Sequence, residues 1–148
     1  MTEKTASTVE SEGVQLSPFM FALVLAPLTI GLPAWGIVWI AALAEVSGGL
    51  GLLVFIAIPA VATVLGAPTY LFLGGPAFWF ALQRGLSVPL TALSTNFASL
   101  PLVAAFFAVQ SSQFQIGTML WLYAILGSVF APLWGVIFVS LYNRFRKA

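Results

Sequence analysis

Four long apolar stretches, separated by short polar or glycine-containing breaks, set the pattern of this chain. They run from about residue 18 to 43, 50 to 83, 86 to 109 and 116 to 142. An α-helix of about 20 apolar residues covers the ~30 Å hydrocarbon core of a bilayer, so each stretch predicts one crossing. The expected fold is all-α: a polytopic integral membrane protein with four transmembrane helices kinked by proline, and short loops. Residues 1–17 are Thr/Ser/Glu-rich with little to bury and predict a disordered, flexible cytoplasmic tail. Residues 18–143 then form the transmembrane domain, and 144–148 a basic cytoplasmic end.

The second stretch is the ambiguous one. From Val46 to Gln83 the chain carries no charge, and Pro59, Pro68 and Pro76 interrupt it. Two arrangements compete: one tilted, kinked span with Gly74-Gly75-Pro76 bending along the interface, or two short crossings hinged at Gly66-Ala67-Pro68. Each half would hold about 15–16 residues, roughly 23 Å of helix, short of the ~30 Å core. That length favours the single span. Ser47-Gly48-Gly49 predicts the turn before it, and Gln110-Ser111-Ser112-Gln113 a short polar connector before the fourth span.

Composition agrees with lipid as the surrounding solvent. Of 148 residues 61% are hydrophobic and 6% charged, with mean hydropathy +1.08, against about 45–50% and 25% in soluble proteins. A net charge of +1 with no basic patch before the C-terminus excludes a nucleic-acid partner. The tripeptide Ala42-Leu43-Ala44 before Glu45 resembles a leader-cleavage site. The apolar run ahead of it is too long for a signal sequence and its flank is not basic, so an uncleaved span is expected.

Charge placement then orients the spans. Arg84 is the only formal charge between Glu45 and Arg144, and it follows the aromatic-rich run Phe78–Leu82 as a helix leaving hydrocarbon would. With four crossings, Lys4 and the topology anchors Arg84, Arg144, Arg146 and Lys147 share one side. The positive-inside rule makes that side cytoplasmic. The expected location is the cell membrane, a bacterial inner membrane, multi-pass, with both termini cytoplasmic. Glu45 falls at a span terminus, where its carboxylate reaches water.

Small residues recur at helical spacing on three spans, the pattern along which membrane helices approach closely. On the first these are Ala22, Ala26, Thr29, Pro33 and Gly36; on the third Ser87, Thr91, Ser94, Ala98, Pro101 and Ala105; on the fourth Gly127, Ala131 and Gly135. Asn96, at 100° per residue, projects from the side of the third span opposite its row. If that row packs inside the bundle, Asn96 faces out; if Asn96 faces in, the row faces out. An interhelical hydrogen bond is the expected use of Asn96, with Thr29, Thr63 and Ser128 as mid-depth partners. Trp35, Trp39, Trp121, Tyr123 and Tyr142 read as interfacial aromatics, and Tyr70 as a buried side chain whose hydroxyl finds a backbone carbonyl.

The chain has no histidine, no cysteine and no aspartate. Imidazole, thiolate and paired-carboxylate metal sites are therefore excluded, and haem ligation by imidazole with them. Acid–base or nucleophilic catalysis lacks a base within the spans, so no enzyme, catalytic residue or metal is expected. No cofactor is indicated, although a lipid, quinone or carotenoid would find aromatic surface among 13 Phe and 5 Trp. The expected partners are membrane lipids and other membrane subunits, or a second copy of the chain. The expectation is a non-catalytic accessory, assembly or stabilising subunit packing through its small-residue faces. The alternative is a small homo-oligomeric transporter or channel with a path lined by Asn96 and the Ser/Thr row.

Overall fold

The structure, a computed structural model, describes residues 13–44, 50–110 and 113–147. The N-terminal tail with Lys4, the segment of Glu45 and Ser47-Gly48-Gly49, and Ser111-Ser112 lie outside the described residues. Within them the chain is helical, in order α1 Leu16–Leu43, α2 Leu50–Thr69, a π-helical segment Tyr70–Gly74, α3 Gly75–Gln83, α4 Val88–Ala98, α5 Leu100–Gln110 and α6 Gln113–Arg146. Four helical stretches are long and apolar enough to cross a membrane: Leu16–Leu43, Ala57–Gln83, Val88–Val109 and Ile116–Arg146. Helices apolar on every side, as these are, need an apolar surround on every side.

The four stretches run alternately up and down and pack on one another, α6 against α4, α1 and α2, and α1 against α2. The first and last are tied at one end, where the Gln15 N–H donates to the Tyr142 hydroxyl oxygen (3.2 Å). At that end the core is aromatic. Phe19 meets Trp79 and Phe138 edge-on at ring-centroid distances of 5.0 and 5.3 Å, and Phe138 stacks on Tyr142. Such ring pairs add about 0.5–1.5 kcal/mol each beyond the area they bury.

The second stretch is one helix through and through. Gly74-Gly75-Pro76 does not bend out along an interface: Gly74, Gly75, Phe78 and Ala81 are all buried. The physical reason lies in the wide turn just before it. Pro76 has no N–H to offer the carbonyl one turn back, and a local π adjustment is a way for lipid-buried helices to re-satisfy freed carbonyls. Gly75 leaves room for α1, because a Cβ there would lie 3.1 Å from Leu23 Cδ2, while one on Gly74 would meet the Phe78 ring at 3.4 Å.

Arg84 closes this helix. Gly85, at φ +65°, turns the chain, and the N–H groups of Gly85 and Leu86 reach back to the carbonyls of Leu82 (3.3 Å) and Ala81 (2.8 Å), the Schellman pattern of helix ends. The Arg84 guanidinium lies over the Phe80 ring at 4.0 Å, a contact worth about 0.5–1 kcal/mol when exposed. Arg84, Arg144, Arg146 and Lys147, all the described basic residues, therefore stand at the aromatic end of the bundle, and no described charge stands at the other.

Helix faces differ from the expected rows in two places. On α1, Ala22 and Ala26 are fully buried, but Thr29, Pro33 and Gly36 are exposed and Gly31 and Ala34 are buried instead. The cause is a change of neighbour along the helix. Phe19 meets α6, while Gly31 meets α2, where a Cβ would come within 2.7 Å of Thr63 Cγ2. On the third stretch, Ser87, Ser94, Ala98, Pro101 and Ala105 are exposed and Thr91 half-buried, while Asn96 is buried. The row faces out and the amide faces in, where the glycine face of α6 leaves room for it: a Cβ on Gly127 would fall on the Asn96 carboxamide.

Candidate functional site

The fourth helix makes the site. Gly127, Ala131 and Gly135 form its face toward α4, and the fit is close: a Cβ on Gly127 would fall on the Asn96 carboxamide, and one on Gly135 would lie 2.9 Å from Pro89 Cα. Glycine there lets two backbones approach within the reach of a mid-span amide. The π segment contributes from the other side. Its extra residue turns both Thr69 and Tyr70 toward the same interior, where Tyr70 packs edge-on against Trp134 at 5.4 Å and Phe78 at 5.1 Å. Single π turns inside α-helices occur frequently at functional sites.

Between these elements lies a cavity of about 30 Å³, lined by Gly66, Thr69, Tyr70, Asn96, Ser99, Tyr123, Gly127 and Trp134 together with apolar neighbours. One wall carries a chain of hydroxyls. Ser99 Oγ and the Tyr123 hydroxyl are 2.8 Å apart, and the Tyr123 hydroxyl is 2.8 Å from Thr69 Oγ1. The two ends stop on backbone carbonyls, Ser99 on that of Asn96 (2.7 Å) and Thr69 on that of Gly66 (3.0 Å). Three hydroxyl hydrogens thus serve four contacts, so one contact is always without a proton and the hydroxyl oxygens keep acceptor capacity to spare.

Three other lining groups are the reverse. The Tyr70 hydroxyl, the Asn96 Nδ2 and the Trp134 Nε1 are buried and have no hydrogen-bond partner among the described residues. Their residues are 6%, 7% and 3% exposed. A buried polar group without a partner costs about 1–3 kcal/mol, and the residues that carry these three all line one cavity.

The hydroxyls expected to partner Asn96 go elsewhere. Thr29 donates to the Ala26 carbonyl (2.7 Å), Thr63 to that of Pro59 (2.8 Å) and Ser128 to that of Ile125 (2.7 Å). Each hydroxyl serves a carbonyl of its own helix, the local bond open to Ser and Thr in any helical turn. Tyr123 is a core residue of the bundle, whereas its neighbour Trp121 is 71% exposed. Tyr142 is likewise buried, and the Tyr70 hydroxyl reaches no backbone carbonyl. Thr69, Ser99 and Trp134 carried no signal as single residues. Their one legible clue was helical phase, since Asn96 and Ser99 share a face, as do Tyr123 and Gly127. Of the packing residues, Ala22, Ala26, Gly127, Ala131 and Gly135 lie inside the bundle, and Gly36, Ser87, Ser94 and Ala98 lie on its exterior.

Compared with protein-family models, curated proteins and solved structures, the chain matches none.

Proposed function

We propose that this chain is a non-catalytic, multi-pass membrane protein that works as an accessory or stabilising subunit, docked on larger membrane partners through the outer face of its third span. In this reading the four long helices cross the cell membrane, bent at their internal prolines, and the end carrying Arg84, Arg144, Arg146 and Lys147 is cytoplasmic, with both termini. The supporting observation is the exposed row Ser87, Ser94, Ala98, Pro101 and Ala105. Short side chains give lipid tails little to pack against, while they let another helix come close. The residue types needed for acid–base or metal chemistry are missing from the spans, which leaves association as the work to be done.

Isolation from native membranes in a mild detergent tests this. Unrelated membrane subunits in fixed ratio, lost on Ala98→Leu while the bundle stays folded, is the expected result. A chain that elutes alone, with or without that substitution, counts against it. The polar cavity favours a second reading, a small homo-oligomeric transporter. Its signature is a symmetric self-assembly with a wetted centre and flux abolished by Asn96→Leu. Asn96 and the exposed Ser/Thr row stand on opposite faces of the third span, so one path cannot use both within a single copy.

A further inference from the structure

We infer that the cavity between the π segment, α4 and α6 is an internal hydration site that takes about two water molecules as its ligand. Room and chemistry agree on the number. A buried water needs room for about one probe sphere, ~10–15 Å³, and two to four polar partners, and the cavity offers about 30 Å³. Its lining groups are complementary in a manner that selects the ligand. Tyr70, Asn96 and Trp134 present unpartnered donors, while the hydroxyl chain of Ser99, Tyr123 and Thr69 is short of one hydrogen. A ligand must therefore both accept and donate.

Water does both. A ketone or ester oxygen satisfies the donors and leaves the hydroxyl wall unchanged. An ion would be buried without a countercharge, which costs several kcal/mol or more. Water held here joins the three spans that meet at Tyr70, Asn96 and Trp134 into one polar network, and it fixes the wide turn at Tyr70 by giving its hydroxyl a partner. The inference is independent of the docking reading above, because it concerns the interior of a single copy.

Water-edited solid-state NMR on tryptophan-¹⁵N-labelled protein in vesicles of perdeuterated phosphatidylcholine tests it. Trp134→Phe identifies the Trp134 indole signal by its loss. Expected is transfer of water magnetisation to the Trp134 indole as fast as to the exposed Trp39 and Trp121, although Trp134 is buried. Asn96→Leu, which fills the space and removes a donor, should reduce that transfer at least fivefold while the other four indole signals hold their positions. If Asn96→Leu fails to fold, Tyr70→Phe keeps the shape, removes one hydroxyl and should slow transfer at least twofold. Transfer to Trp134 no faster than to a dry core site overturns the inference, as does transfer that neither substitution alters. Repeating the measurement with protonated lipid adds a further outcome: contact from acyl protons with none from water overturns it too.

Discussion

The third and fourth spans carry rows of small residues of the same kind, and the protein uses them in opposite ways. Gly127, Ala131 and Gly135 face inward against α4, with Pro89, Ala92 and Asn96 filling the space they leave. Ser87, Ser94 and Ala98 face outward and are exposed among the described residues. The difference does not lie in the rows. It lies in what stands on the far side of each helix: behind the third span's row is Asn96, which carries the polar group hardest to leave in hydrocarbon. Small residues permit approach, and the buried amide decides which helix face receives it.

Substitutions that enlarge each row separate the two uses. The largest effect is expected at Gly135→Leu, because the obstructing atoms are backbone, Pro89 Cα at 2.9 Å from the added Cβ. Overpacking of this kind costs about 1–3 kcal/mol and more where nothing can yield, so thermal unfolding in detergent should show a marked loss of stability. An unchanged midpoint would break the comparison.

Gly127→Ala comes next, since the obstruction is the Asn96 side chain, which can rotate. A loss of about 1–2 kcal/mol is expected. Asn96→Ala in the same chain should recover part of it, a coupling of about 0.5 kcal/mol or more that a double-mutant cycle reads directly. Additive losses would mean that the two residues do not oppose each other.

Tyr123→Phe removes the centre of the hydroxyl chain without changing its shape. The expected cost is about 0.6 kcal/mol, the average for hydrogen bonds inside bilayers, measured by the same unfolding assay. Smallest of all is Ser94→Leu on the outer row, expected within about 0.5 kcal/mol of wild type for the isolated chain. A large loss there would show that the outer row supports the bundle itself. A loss of co-purifying partners at unchanged stability would sharpen the contrast instead.

The broad plan was legible because it depends on sums over many residues. The four spans, the single crossing of the second stretch and the turn at Arg84-Gly85 follow from hydropathy, length and one isolated charge, whereas the expected bend at Gly74-Gly75-Pro76 does not occur. Helix faces were half legible. Helical phase placed Asn96 opposite the third-span row, yet it could not choose between inside and outside, a choice that depends on what the other spans present. On the first span phase failed beyond Ala26, because that helix changes neighbours and Gly31, not Gly36, meets Thr63. The polar site was least legible. Thr29, Thr63 and Ser128 look like interhelical donors and serve their own turns. Ser99, Thr69 and Tyr123 look no different in sequence and bond across three helices. Only the three-dimensional meeting of the wide turn with the glycine face tells the two groups apart.

That wide turn also keeps count for the helix it interrupts. A five-residue loop of hydrogen bonding at Tyr70–Gly74 takes up one residue beyond regular α-helix within a single turn, so Phe78 and Ala81 keep the inward phase they would have without it. Deleting a single residue there would close the turn to regular α-helix and leave those two side chains facing the core, while the wide turn beside Thr69 and Tyr70 would be lost. The segment thus acts as a spacer: the aromatic end is indifferent to the extra residue, and the polar cavity depends on it.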